Sequence, residues 1–184
     1  MTNKNYNILL TIIVTIMMMV AGINIDANAQ DLPRRGTIAE QIEASKAKKR
    51  TVVDELLDYA FTFRGVPYRY GQMSPRGFDC SGFTSYVFKR FGYDLTRSSR
   101  GQIHDGERVD RKDLKPGDLV FFTGRAIGPG IGHVGIVTRV NDDETFNFIH
   151  ASCSRGITES RSDERYYVRR YRGACRVIDT EEKD

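Results

Sequence analysis

The sequence predicts an α+β domain in which N-terminal helices pack on an antiparallel β-sheet. Apolar residues follow helical spacing in the first half of the chain, over about 52–61 and again after Cys80. The second half instead carries short apolar runs with strand-like character, at 119–122, 133–140 and 145–150. Helices that come first and strands that follow are typical of α+β proteins with an antiparallel sheet.

The composition limits the classes of protein that the chain can be. With 184 residues, 40% of them hydrophobic and 28% charged, it suits one domain with an additional tail. This composition excludes a disordered polyelectrolyte and a multi-span membrane protein. The net charge of +4 is compatible with an anionic wall or membrane surface but is too small to indicate nucleic acid as a partner.

The first 29 residues have the features of a secretory signal peptide. Lys4 provides the positive n-region, an apolar stretch covers about 8–23, and Ala27 and Ala29 form an A-x-A cleavage site. Cleavage would leave Gln30 as the first residue. A membrane-spanning anchor is the alternative, since the stretch approaches the length that crosses a bilayer. We expect an exported protein with no stable membrane anchor after cleavage.

The first half of the chain after the signal peptide is predicted to contain a tether, a core helix and a loop. Residues 30–50 are polar and indicate a tether or a loose helix. The first core helix follows from Thr51, with apolar residues at 52, 53, 56, 57, 60 and 61, and Gly65 and Pro67 stop it. The glycines and prolines of 65–78 then indicate a shaped loop without regular structure.

The second half supplies the sheet. A second helix begins near Cys80 and ends at Gly92, and a turn at 116–118 leads into the strand over 119–122. Strands over 133–140, 145–150 and about 174–178 follow, and an acidic tail closes the chain at 179–184. The glycine-rich loop over 124–130 is compatible with either a mobile lid or ordinary turns.

Cys80 is the first candidate for chemistry, because it stands at the start of an apolar helix. Unpaired N–H groups and the partial positive charge of a helix N-terminus favour a thiolate, so we expect a lowered thiol pKa. The alternative is an inert buried cysteine. A nucleophilic cysteine needs a base, and the chain offers three histidines, His104, His133 and His150.

His133 and His150 lie on two predicted neighbouring strands, and Gly135 leaves room beside them. If those strands pair and pack against the Cys80 helix, His133 meets the thiol and His150 orients the imidazole as the third member of a triad. His104 lies in a polar stretch and is expected in solvent. A zinc site is the competing use of such residues, but the chain has no short paired spacing of the C-x2-C or H-x3-H kind.

Six motifs follow one another along the chain. They are GVPY at 65–68, GFDCSGF at 77–83, RSS at 97–99 with Gln102, PGDLVFF at 116–122, GHVGI at 132–136 and IHAS at 149–152. Together they resemble the NlpC family of papain-like cell-wall cysteine peptidases, over about 51–178. The resemblance implies a papain-like catalytic domain, with the N-terminal helices on the antiparallel sheet and with neither cofactor nor metal.

The resemblance also implies roles for single residues. Cys80 is the nucleophile, His133 the general base and then acid, and His150 the polar third member. Tyr68 matches a tyrosine that faces the nucleophile. Asp79 and Ser81 match positions that contact the amine or backbone of the substrate. The oxyanion donors would be the backbone N–H of Cys80 and the Tyr68 hydroxyl.

The expected activity is therefore that of a secreted endopeptidase acting on peptidoglycan stem peptides, between D-glutamate and diaminopimelate or lysine, through an acyl-enzyme. We expect a monomer located in the periplasm or at the cell wall. A wall amidase, a papain-like acyltransferase and a non-catalytic wall-binding protein are the alternatives. Arg69, Tyr70 and Gln72 depart from the family pattern near the site, which bears on substrate preference.

The cysteine count is odd. Cys80 must stay free if it is a nucleophile, and an oxidising compartment would permit a bridge between Cys153 and Cys175. Two separate thiols are the alternative.

Overall fold

The computed structural model describes residues 50–179. The predicted signal peptide over 1–29, the tether up to residue 49 and the acidic tail after residue 179 lie outside this range. Within residues 50–179, no helix combines the length and the hydropathy needed to cross a bilayer.

The first helix, α1, covers Val52–Phe61 as the spacing predicts. Thr51 and Asp54 form a capping box, in which each side chain accepts a hydrogen bond from the backbone N–H of the other residue. The buried side chains of α1 are Val53, Leu56, Leu57 and Ala60. Because these positions repeat every three to four residues, they form one stripe that packs on the domain.

The segment after α1 contains a small hairpin where the sequence predicted only a loop. Its strands, β1 at Met73–Ser74 and β2 at Gly77–Phe78, pair antiparallel, and Phe78 also forms a bridge with Tyr68. Strands of two residues show no apolar periodicity, so the pattern could not predict them. The hairpin leads directly into the second helix, α2, over Cys80–Lys89.

Six strands form one antiparallel sheet. They are β3 at Glu107–Val109, β4 at Leu119–Phe122, β5 at His133–Val140, β6 at Phe146–Ser152, β7 at Gly156–Arg161 and β8 at Tyr171–Arg176. Their order is β3, β8, β4, β5, β6, β7. Short helices α3 at Ser99–Gln102 and α4 at Arg165–Val168, and a 3-10 turn at Arg111–Asp113, lie between strands. The predicted α+β class with an antiparallel sheet is confirmed.

The sheet has two strands more than the sequence predicted. The missed strands, β3 and β7, are the edges of the sheet and consist mainly of polar residues. An edge strand is covered less than a central one, so its sequence lacks the apolar run that marks β4, β5 and β6. Two predicted strands were also too short or displaced: β6 continues to Ser152, and β8 begins at Tyr171.

Each face of the sheet has its own core. On one face, α1 and α2 cover a cluster that includes Phe83, Phe121 and Ile149. On the other face, Phe122, Phe148 and Tyr167 belong to an aromatic cluster, in which the Phe148 and Tyr167 ring centroids are 4.8 Å apart. Neighbouring residues of one strand therefore serve opposite cores, as the pleat requires.

The topology is incompatible with the bridge between Cys153 and Cys175. Cys175 lies on β8, whereas Cys153 follows β6, and β4 and β5 separate these two strands. Cys175 is buried and donates to the Gln102 carbonyl at 3.2 Å, whereas Cys153 is exposed. All three cysteines are free thiols. The two segments do not neighbour in the sheet, so of the two alternatives that the sequence left open the structure has separate thiols.

Candidate active site

A cavity of about 750 Å³ opens where the start of α2 meets the ends of β5 and β6. Tyr68, Cys80, His133 and His150 all line it. Cys153 and Arg155 belong to its wall as well. This volume lies in the range of small-molecule and peptide sites in proteins. The sequence-predicted triad residues therefore share one concave surface, whereas His104 is exposed and does not line it.

The local sequence places Cys80 as the first residue of α2. Asp79 has extended backbone angles (φ −87°, ψ 177°) and its carboxylate accepts from the N–H of Gly82 at 2.6 Å, which caps the helix. Gly82 is needed there, since a Cβ would lie 2.2 Å from the Gln72 carbonyl oxygen. The backbone of Cys80 is thus fixed by the cap on its N-terminal side.

Asp79 and Ser81 are buried and form a polar network with Arg97, whose side chain is partly exposed. The guanidinium donates to both Asp79 carboxylate oxygens at 2.9 Å and to the Ser81 hydroxyl at 3.0 Å. The Ser81 hydroxyl in turn donates to the Arg97 carbonyl. Neither Asp79 nor Ser81 lines the cavity. The contacts of Asp79 and Ser81 support the turn that carries Cys80. That the two residues contact the substrate stays a prediction.

The pKa of Cys80 departs from the sequence expectation. Burial first, and then the negative charge of Asp79, raise this pKa to about 11, although hydrogen bonds from the N–H groups of Ser81 and Val134 act to lower it. Desolvation disfavours the charged thiolate more strongly than two N–H donors favour it. The expectation of a lowered pKa was wrong for this state of the site, and the resting thiol is protonated.

His133 and His150 meet as the strand pairing predicts. The Nε2 atom of His133 and the Nδ1 atom of His150 are 2.8 Å apart, and the two rings stand nearly perpendicular, at 89°. Burial lowers the pKa of His133 to about 4, so its imidazole is neutral at pH 7. With Nε2 engaged by His150, Nδ1 is the ring nitrogen of His133 left for the chemistry of the cavity.

Gly135 makes this histidine pair possible. It lies on β5, and a Cβ at this position would be 2.7 Å from the Phe148 ring and 3.1 Å from the His150 Cβ. A contact below 3.0 Å cannot be accommodated without displacing a neighbour. The sequence signal, a glycine two residues after His133 on the same strand, therefore has the steric reason that was expected.

His150 is held on its far side by polar groups that the sequence reasoning missed. Its Nε2 is 3.2 Å from the Ser160 hydroxyl and 3.2 Å from the Tyr167 hydroxyl, and Arg155 donates to Ser160 at 2.7 Å. Burial lowers the pKa of His150 well below its usual value, and electrostatic repulsion from a protonated His133 and from Arg155 acts in the same direction. Ser160 and Tyr167 belong to the unpredicted edge strand and α4, so no motif marked them.

Two candidate oxyanion donors belong to residues that line the cavity, Cys80 and Tyr68. The backbone N–H of Cys80 is the first of the helix, and it has no hydrogen-bond acceptor among residues 50–179. Burial raises the pKa of Tyr68, so its hydroxyl keeps its proton and can donate. Cys153 lines the cavity together with Tyr68.

Three arginines donate hydrogen bonds to backbone carbonyls in and directly after the glycine-rich loop that borders the cavity. Arg170 donates to the Gly124 carbonyl at 3.0 Å, Arg172 to the Gly128 carbonyl at 2.8 Å and Arg100 to the Ile131 carbonyl at 3.1 Å. These contacts favour ordinary turns over a freely moving lid.

Within the described range there is no group of three or more His, Cys, Asp and Glu side chains that could hold a metal ion.

Comparison with known proteins gives one consistent family. The NlpC/P60 family model matches residues 65–176. The "Probable endopeptidase NlpC" of Escherichia coli K12 is 40% identical over 128 residues, which are 69% of this chain and 79% of that protein. The E. coli protein named "Murein DD-endopeptidase MepS/Murein LD-carboxypeptidase" is 38% identical, over 69% of this chain and 64% of its own length.

Solved structures agree on the fold. An NlpC/P60 family protein from Bacillus cereus superposes with a TM-score of 0.62 at 31% identity, over 71% of this chain and 42% of that protein. RipD from Mycobacterium tuberculosis, described as a non-catalytic NlpC/p60 domain protein adapted to peptidoglycan binding, gives a TM-score of 0.56 at 20% identity. At that identity the likeness shows the fold alone, so catalysis has to be argued from the site.

Proposed function

The chain belongs to the NlpC/P60 family of cysteine peptidases, and from that premise we propose that it hydrolyses amide bonds in the stem peptides of peptidoglycan. The observation that carries the proposal is one cavity that contains a thiol at a helix N-terminus and a pair of hydrogen-bonded imidazoles. A thiol, a base and a residue that orients the base are the parts that nucleophilic acyl transfer needs.

The first half of the reaction forms a thioester. The Cys80 Sγ attacks the amide carbonyl carbon while His133 takes the thiol proton, so the new S–C bond forms as the S–H bond breaks. Because both groups are neutral at rest, proton transfer accompanies attack. The oxyanion lies against the Cys80 N–H and the Tyr68 hydroxyl. The C–N bond then breaks, and His133 gives its proton to the leaving amine.

The second half returns the enzyme to its starting state. Water loses a proton to His133 and attacks the thioester carbonyl, and the thiol leaves with that proton. His150 keeps its hydrogen bond to His133 Nε2 throughout, which fixes the ring and stabilises the imidazolium. Burial and the positive charge of Arg155 hold His150 neutral. The proton therefore stays on the ring that faces the substrate.

For the bond we propose the amide between D-glutamate and diaminopimelate or lysine. The second candidate is a bond in the crosslink between two stem peptides, because one relative is named a DD-endopeptidase. The chain spans 64% of that relative and 42% of the solved Bacillus protein, so their activities reach this chain only as proposals. We propose that the enzyme is exported and acts at the wall, in the periplasm or outside the cell, as a monomer.

Digestion of purified sacculi tests the proposal. The wild-type protein and Cys80→Ala are compared, and the released fragments are identified by mass spectrometry. An endopeptidase leaves stem residues on the sugar, whereas an amidase leaves none. Release by wild type and none by the variant is expected. Equal release by both proteins would refute the proposed nucleophile, and no release by either would favour a binding function of the kind that RipD's description gives.

A further inference from the structure

A second groove, of about 670 Å³, adjoins the catalytic cavity. Its lining residues are Arg69, Tyr70, Gln72, Ser74 and Arg76. Tyr70 lines both concavities, and its side chain is 89% exposed. Three of these residues are those at which the sequence departs from the family pattern. The groove is therefore a feature of this chain that the proposed chemistry does not use.

The groove carries unbalanced positive charge. Arg69 and Arg76 form no ion pair with any residue in 50–179, and no acidic side chain lines the groove. By contrast, Arg97 is paired with Asp79, and Arg155 with Glu164. Two unpaired guanidinium groups on one concave surface favour a ligand with negative charge.

The groove is fixed relative to the nucleophile. Asp79, which caps the helix of Cys80, also accepts from the Gly71 N–H at 2.9 Å, and Arg97 donates to the Gln72 carbonyl at 3.3 Å. The stem of Arg69 packs over Gly77 so closely that a Cβ there would lie 2.3 Å from its Cδ. The same network thus holds both the thiol and the groove floor.

We propose that this groove binds free carboxylates of the stem peptide whose amide bond lies in the catalytic cavity. This inference rests on the proposed function. A peptide of D-glutamate and diaminopimelate keeps free carboxylates beside its amide bonds, and the planar guanidinium matches a carboxylate with two parallel hydrogen bonds. The exposed Tyr70 ring, shared by groove and cavity, provides the surface over which the peptide passes from one to the other.

A thermodynamic cycle on the inactive full chain tests the proposal. Cys80→Ala is titrated by NMR with a stem peptide carrying free carboxylates and with the same peptide amidated at each of them. The titrations are repeated after Arg69→Gln and Arg76→Gln are introduced together. We expect a loss of about tenfold in affinity from either change alone, about 1.4 kcal/mol, and no further loss when both are made.

Three controls test whether a loss of affinity comes from the groove arginines and not from a general loss of charge or of folding. Arg139→Gln removes an exposed arginine at the far end of β5 and should leave both affinities unchanged. Arg76→Gln alone spares the packing of Arg69 on Gly77, and should retain part of the effect. Thermal unfolding shows whether each variant is folded.

The outcomes separate the two proposals. Losses that simply add, or equal loss for the free and the amidated peptide, would overturn the carboxylate site even if wild type hydrolyses sacculi. A non-additive cycle with a wild type that hydrolyses nothing would keep the site and refute the peptidase proposal.

Discussion

Acidification should destabilise this domain through its buried histidines. Burial lowers the pKa of His133 from 6.5 to about 4, and the pKa of His150 is lowered as well. Since the unfolded chain binds these protons more tightly than the folded one, stability is present above pH 6.5 and is lost as the pH falls towards 4. The fall in pKa from 6.5 to about 4 corresponds to at most about 3.4 kcal/mol for His133 alone.

The assay is urea unfolding of wild type, His133→Gln and His104→Gln between pH 7 and 4.5. Glutamine keeps a donor for His150 Nδ1 but cannot titrate, so the stability of His133→Gln should fall less steeply with acid, by up to about 2.4 kcal/mol over the range. His104 is exposed, and its variant should follow wild type. If His133→Gln lost stability as steeply as wild type, the burial of a neutral imidazole would be refuted.

Three further predictions concern the frame of the site. Gly135→Ala should cost about 1–3 kcal/mol in urea unfolding and lower kcat, because its Cβ would be 2.7 Å from the Phe148 ring; an unchanged kcat would contradict the argument. Asp79→Asn should lose about 2 kcal/mol, since it weakens both the cap of α2 and the pairing with Arg97; loss below 0.5 kcal/mol would show that the network adds little. Thiol titration of the unfolded, unreduced protein should find three thiols, and a count of one would restore the bridge between Cys153 and Cys175.

The sequence predicted those parts of the fold that have strong apolar periodicity. Helix α1, the start of α2 at Cys80 and the central strands β4 and β5 were all predicted within a few residues. The edge strands β3 and β7 were missed, because a strand covered on few sides needs no apolar run.

The site could be predicted as far as its residue types and the meeting of its two histidines. The pairing of His133 with His150 followed from two adjacent strands, and Gly135 gave the steric clue. The sign of the Cys80 pKa shift could not follow from helix position, since it depends on how deeply the thiol is buried and on the Asp79 charge. Contacts between segments that are further apart in the chain, such as the Tyr167 hydroxyl with His150, leave no local signal in a single sequence.

The central claim is that Cys80, and no other thiol, carries the acyl group during turnover. Rapid mixing with a stem peptide, an acid quench and mass spectrometry of the digested protein would locate the thioester. We predict an adduct with the mass of the acyl portion on the fragment that contains Cys80, in wild type and in Cys153→Ser, and none in Cys80→Ala. An adduct on Cys153, or hydrolysis of the peptide by Cys80→Ala, would contradict the account.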